Sequence, residues 1–190
     1  MVKVGFIVEG DTEERILKHA SFVAMLEKME LSFIKEIVNA EGRDNLISQK
    51  LGRFVNTLVD KGATKVVILA DLEDEKTIET VKKRIDPDGI YIVIIAVQAI
   101  EAWLLSDSEA ISQYLKSKYF CEFPEEIPNP FDFIRSERLR LTGRGIGAKV
   151  LLIKDMFKVG FSLEAAASHP HCPSARYFLQ KLTSLANTTD

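Results

Sequence analysis

A chain of 190 residues with 46% hydrophobic and 28% charged side chains has the size of one globular domain, or one domain with a substantial appendage, and can bury a sizeable core. No apolar run approaches the roughly 18 residues that cross a bilayer, and 25 basic against 28 acidic residues leave a formal charge of −3, which gives no whole-molecule attraction for nucleic acid. A phosphate-bearing partner would have to be held locally, by a metal ion or a basic patch.

Val2–Val8 (VKVGFIV) reads as a strand that is apolar on both faces, as expected when helices cover each side of a sheet. It carries Lys3 and runs into Glu9, unlike the apolar core and cleavage site of a secretion signal, so a cytoplasmic location is expected. Gly10 supplies a flexible turn. Asp11 or Thr12 can cap the helix that follows, with Glu14 three residues after Asp11 in a capping-box arrangement. Ile16, Leu17, Ala20, Val23, Ala24 and Leu26 form the apolar side of this single helix, and His19 within it reads as a surface or packing residue.

Ser32–Asn39 is a second strand, interrupted by Lys35 and Glu36, and Asn45–Lys61 is a helix with Leu46, Ile47, Leu51, Phe54, Val55 and Leu58 on one face. Gly62 ends it. Lys65–Ala70 is the most β-prone run in the chain, Glu75–Arg84 is a charged outer helix closed by Asp86, Pro87, Asp88 and Gly89, and Tyr91–Val97 is a fourth buried strand. Strands alternating with helices predict βαβ crossovers and a mainly parallel four-stranded α/β sheet. Ala99–Leu115 is then the next helix, with Ile100, Trp103, Leu104, Ile111, Tyr114 and Leu115 at helical spacing and Glu101 off that face.

Beyond Lys116 the character changes. Phe123–Pro130 holds three of the six prolines and reads as a rigid connector. An Arg-rich stretch, a loop punctuated by Gly143, Gly145 and Gly147, a helix near Ala148–Phe157 and a helical pair around Ser162–Ala167 and Ser174–Leu185 follow. The predicted organisation is an α/β core over residues 1–120 and a connector with a helical appendage over 121–190. Cys121 and Cys172 belong to no dense pattern and read as buried or incidental thiols.

Candidate chemistry gathers at strand ends. The carboxyl ends of parallel strands share one edge of a sheet, so Glu9, Asp71, Glu73 and Glu101 are expected to converge there. Mg²⁺ prefers hard oxygen ligands and typically takes one or two carboxylates plus waters and phosphate oxygens. Asp71 and Glu73 could reach a common ion, and Glu9 could be a ligand or a general base. The alternative is that such acids, Asp11, Glu13, Glu14, Asp74 and Glu75 among them, are solvated helix caps. Glu101 is either a cap near a helix start or a further ligand, and Trp103 is core or a stacking platform.

Arg135, Arg138, Arg140, Arg144 and Lys149 set five cations against one acid, Glu137, beside a glycine loop that leads into a helix. They read either as a solvated basic face or as a phosphate grip in which Lys149 neutralises transition-state charge. The spacing is not that of a Walker loop. His169, His171 and Cys172, with Cys121 distant, lack structural zinc spacing, and the flanking Pro170 and Pro173 indicate a turn.

Val8-Glu9-Gly10 after the first strand and Asp71-Leu72-Glu73 after a later one resemble the Toprim domain of topoisomerases, primases and overcoming-lysogenization-defect nucleases. The block Val97–Asp107 (VQAIEAWLLSD), the connector Glu126-Ile127-Pro128-Asn129-Pro130, and His171-Cys172-Pro173-Ser174 with Phe178 and Leu182 are similar to a Toprim-like prokaryotic family catalogued as domain of unknown function 4276. The resemblance covers nearly the whole chain. It implies a Toprim-like, Rossmannoid core with Glu9 as its characteristic glutamate and Asp71 with Glu73 as Mg²⁺ (or Mn²⁺) ligands. The second acid is glutamate rather than the usual aspartate, with Asp74 next door.

The leading expectation is a Mg²⁺-dependent phosphodiester-acting enzyme, a nuclease, in which Glu9 and Lys149 are catalytic, Glu9, Asp71, Glu73 and Glu101 meet the metal, and Arg138, Arg140, Arg144 and Lys149 hold phosphate. The alternative is a non-catalytic module that binds nucleic acid, nucleotide or a protein partner through the same edge. No membrane partner is expected. An aspartyl-phosphate receiver would want a Ser or Thr where Gln98 stands, and a haloacid-dehalogenase phosphatase an Asp where Glu9 stands.

Overall fold

The computed structural model describes residues 2–187. Four strands, β1 (Lys3–Val8), β2 (Ser32–Asn39), β3 (Lys65–Asp71) and β4 (Ile92–Ala96), form one parallel sheet in the order β2-β1-β3-β4, a Rossmann-like α/β arrangement flanked by helices. The strands lie where the β-branched runs predict them. Among the described residues no helix is long and apolar enough to cross a membrane.

Side-chain alternation along β1 serves two faces. Ile7, with Val66, Ile68 and Ala70 of β3, packs on Leu51, Phe54, Val55 and Leu58 of α3 (Ser48–Asp60) and on Val81 and Ile85 of α4 (Ile78–Ile85). Phe6 meets Phe22 and Phe33 edge-on and tilted, at ring separations of 5.6 and 5.9 Å. β2 is an edge strand whose register against β1 shifts between Val4 and Phe6, beside the exposed Lys35 and Glu36. A bulge and charges at this position blunt an open edge against pairing with other chains.

Gly5 lies where α3 crosses β1. A Cβ there would stand 3.1 Å from Ala63 Cβ, from Leu58 Cβ and from Leu58 Cδ1. Gly5→Ala is therefore expected to destabilise the protein by about 1–3 kcal/mol through overpacking, read as a lower urea midpoint. An unchanged midpoint would mean that α3 moves away at no cost.

The helix predicted after β1 is two helices, α1 (Asp11–Lys18) and α2 (Ala20–Lys28). His19 takes an extended ψ of 142° and caps α2, its Nδ1 accepting from the Ser21 N–H at 3.3 Å, so it is a breaker rather than a helix residue. The cap of α1 is also displaced from the expected one. Gly10 is the N-cap, and Glu13, not Glu14, closes the turn by accepting from the Gly10 N–H at 2.9 Å. The predicted helix at Glu75 begins only at Ile78, because Thr77 caps it by accepting from the Thr80 N–H at 3.1 Å.

The predicted helix over Ala99–Leu115 is likewise two, α5 (Glu101–Ser106) and α6 (Ser108–Leu115), broken where Asp107 caps the second by accepting from Ala110. Pro124–Glu126 forms one 3-10 turn inside the connector, and the Arg-rich stretch is itself a helix, α7 (Pro130–Thr142), with proline at its first position. α8 (Lys149–Lys158), α9 (Leu163–Ser168) and α10 (Pro173–Ala186) follow.

The described residues form two compact units, one of residues 2–95 with 180–187 and one of Ala96–Leu179. Within the second unit α5 packs with α7 and α9, and α6 with α7 and α8.

Candidate functional site

In the first unit the register of the sheet brings the acids together. β1 is parallel to both neighbours, with Val8 opposite Asn39 and opposite Leu69, so residues just past these positions emerge at one edge. The Glu9 N–H donates to the Leu69 carbonyl at 3.1 Å, and the Glu9 carboxylate accepts from the Asp71 N–H. Two acids 62 positions apart in sequence are thereby neighbours at adjacent strand tips.

Glu9 is 7% exposed, and its Oε2 is buried with no hydrogen-bond partner. Burial, then the nearby carboxylates of Glu73 and Glu13, push its carboxyl up to about 7, against the opposing pull of Arg84 and the Asp71 N–H. A carboxylate so desolvated wants either a proton or a cation. Asp71 is buried beside it, and Glu73 follows in a left-handed backbone (φ 48°), a conformation costly for a residue with a Cβ.

Glu73 does not stand free at this edge. Arg43 holds it at 3.1 Å through Nη1 and reaches Glu75 at 3.7 Å through Nη2. Glu13 is engaged with the Gly10 N–H. Among the described residues no group of three or more His, Cys, Asp or Glu side chains is set to hold a metal ion. The donor set still suits a hard divalent cation, which needs only one or two carboxylates and completes its shell with waters and ligand oxygens. Glu9 and Asp71 are the residues that could supply them, with Glu73 available on release from Arg43.

The second unit holds the remaining candidates. Glu101, expected off the apolar face of its helix, is 1% exposed, because α5 ends at Asp107 and is buried on every side. Its Oε1 lies 3.3 Å from Lys149 Nζ, an ion pair without hydrogen-bond geometry, and its Oε2 has no partner. Lys149 opens α8 directly after the glycine loop, and Ala148 gives that helix no side-chain cap.

Of the basic residues, Arg140 makes two bonds to Glu137 at 2.9 and 2.7 Å, and Arg138 donates to the Tyr114 carbonyl while its guanidinium covers the Tyr114 ring at 4.0 Å. Arg135 pairs with Asp132 at 3.1 Å. Arg144 is exposed on the loop. Trp103 is core, stacked on Phe178 at 5.5 Å with its Nε1 donating to Ser174 Oγ at 2.7 Å. Cys121 and Cys172 are buried free thiols, the latter pushed up to about 12 by burial. His169 Nδ1 accepts from the His171 N–H at 3.1 Å within a tight turn.

The family model described as domain of unknown function (DUF4276) matches residues 8–183. The chain belongs to the DUF4276 family. No curated protein and no solved structure gives a significant match.

Three residues of this DUF4276 edge escape sequence reasoning. Glu13 looks like any acid in a first helical turn, and only the Gly10 cap turns it back toward Glu9. Arg43 lies in a loop with no periodicity. Arg84 reads as one more charge on an outer helix, yet its Nη1 donates to the Arg43 carbonyl at 2.8 Å and its charge acts on Glu9. The one available signal was an arginine in the last turn of α4, where a cation is favoured by the helix dipole for unrelated reasons.

Proposed function

We propose that this DUF4276 protein is a divalent-cation-dependent enzyme acting on phosphodiester bonds, a nuclease of Toprim type. The observation that carries the reading is the buried, unpartnered Glu9 oxygen beside Asp71 on the carboxyl edge of the sheet. Glu9 and Asp71 would hold Mg²⁺ or Mn²⁺, and Glu73 would join them when Arg43 lets go. When bound, the ion supplies Lewis-acid polarisation of a phosphoryl oxygen and acidifies a bound water. Glu9 would serve either as a ligand of the ion or, with the ion left to Asp71 and Glu73, as the base that activates water.

The net charge of −3 supports local rather than global capture of a nucleic acid. In the second unit Arg144 is the better phosphate candidate among the arginines, since Arg138 and Arg140 would first have to leave Tyr114 and Glu137, and Lys149, paired with Glu101, would join it from the start of α8. Glu101 would serve there by orienting Lys149.

Cleavage of single- or double-stranded nucleic acid that needs Mg²⁺ or Mn²⁺ is the expected activity. Glu9→Gln and Asp71→Asn are each expected to lower it on the order of 10²–10⁴-fold. Turnover that survives both substitutions would end the proposal. The second reading, a non-catalytic module, draws on the engagement of Glu73 with Arg43. It predicts saturable binding that weakens steeply with salt and no turnover with either ion.

A further inference from the structure

Beside its acids, the carboxyl edge of the first unit carries two guanidinium groups that cation binding leaves unexplained. Arg84 reaches across from α4, and its Nη1 is fixed on the Arg43 carbonyl at 2.8 Å. Its Nε is buried with no hydrogen-bond partner. Leaving a buried donor of a charged group unsatisfied is costly. Yet Glu9, close enough to feel the Arg84 charge, has a buried oxygen equally without a partner. An orphaned donor and an orphaned acceptor that do not satisfy each other would both be satisfied by a ligand offering an acceptor to one and a cation to the other.

Arg43 completes the pattern. Its main chain anchors Arg84, while its side chain rests on Glu73 and Glu75 at 3.1 and 3.7 Å in a half-exposed pair. Such pairs exchange at little cost. A cation recruiting Glu73 would free the Arg43 guanidinium at the same edge.

We propose that Arg84, with Arg43 beside it, forms an anion subsite that takes a phosphoryl oxygen of a ligand bound at the same time to the cation held by Glu9 and Asp71. The inference rests on the cation-dependent reading above and adds the group that orients the phosphate. Glu9, Glu13, Asp71 and Glu73 outnumber the two arginines, so phosphate alone is repelled and binds only after the cation. Arginine suits the task because its fork can keep the Arg43 carbonyl on one nitrogen and offer others to a phosphate, which a lysine point charge cannot do.

The test is calorimetric titration of inorganic phosphate into the full chain, with and without saturating Mg²⁺, alongside titration of Mg²⁺ alone. Wild type is expected to bind Mg²⁺ by itself and phosphate only when Mg²⁺ is present. Arg84→Gln should bind Mg²⁺ as tightly as wild type or more so, because a neighbouring positive charge is gone. Its phosphate affinity should fall on the order of tenfold or more. Arg84→Lys keeps the charge and guards against a folding defect, and it should lose phosphate affinity several-fold with an unchanged circular dichroism spectrum.

A bracing role alone would lower the melting temperature of both variants without changing phosphate affinity, and that result overturns the inference. Phosphate binding that is equally tight without Mg²⁺ also overturns it, by separating the anion from the cation. Wild type that fails to bind Mg²⁺ removes the cation reading itself. Mg²⁺ binding with no phosphate binding removes only the anion subsite.

Discussion

Replacing Glu9 by glutamine is expected to stabilise the protein at pH 8 by about 2–3 kcal/mol while changing it little at pH 4. The sign follows from linkage. The folded state holds the Glu9 carboxyl at about 7 against an ordinary value of 4.5, so the folded protein binds this proton more tightly than the unfolded chain does. Stability is therefore lost as pH rises from the unfolded value through the folded one, and the full penalty is present above about 7. Glutamine carries no charge to desolvate and removes the repulsion from Glu73 and Glu13. Urea unfolding at a series of pH values measures the difference, and a gap between variant and wild type that does not change with pH would refute the account.

On the proposed reading, the same penalty favours a cation at Glu9. At 100 times its dissociation constant a ligand stabilises the folded state by about 2.7 kcal/mol, so saturating Mg²⁺ should raise the melting temperature of wild type at pH 8. Glu9→Gln should gain little. The substitution would then be more stable and less functional at once, the exchange expected where a site keeps a charge desolvated for a ligand.

Glu125→Ala is expected to destabilise the second unit by about 3 kcal/mol or more, since hydrogen bonds to a charged group contribute roughly 1.5–3 kcal/mol each. Glu125 is buried, and its Oε1 accepts from both the Ser174 N–H at 2.8 Å and the Ser174 hydroxyl at 2.6 Å. That hydroxyl in turn accepts from Trp103 Nε1 at 2.7 Å and from the Val97 N–H at 3.3 Å. Deleting the carboxylate strands the donors of Ser174 at the start of α10 and loosens Trp103. Glu125→Gln retains an acceptor oxygen and should cost about 1 kcal/mol. Because the chain has a single tryptophan, its fluorescence reports the network directly. A Glu125→Ala protein with wild-type emission and urea midpoint would show that the network contributes nothing.

Much of the fold is legible in the chain. The runs VKVGFIV, KVVILA and YIVIIAV become β1, β3 and β4 with ends moved by one residue or so, because a strand covered on both faces must be apolar throughout. The apolar face of α3 is equally plain, whereas α4 reads only as a charged outer helix and its buried Val81 and Ile85 do not stand out. Breaks inside helices are not legible. His19 and Asp107 each stop a helix by capping the next one, a choice between two local hydrogen-bond patterns of similar energy that tertiary packing settles.

The amino-acid sequence by itself determined the parallel strands and so put Glu9 and Asp71 on one edge of the sheet, while their meeting required the strand order that sets β1 beside β3. Only the tertiary structure decided what surrounds them. The depth of Glu9, the turn of Glu13, the pairing of Arg43 with Glu73, the reach of Arg84 and the burial of Glu101 against Lys149 all depend on contacts between residues distant in the chain. Periodicity reports which side of an element faces water, but desolvation and charge pairing arise from what is packed on the other side.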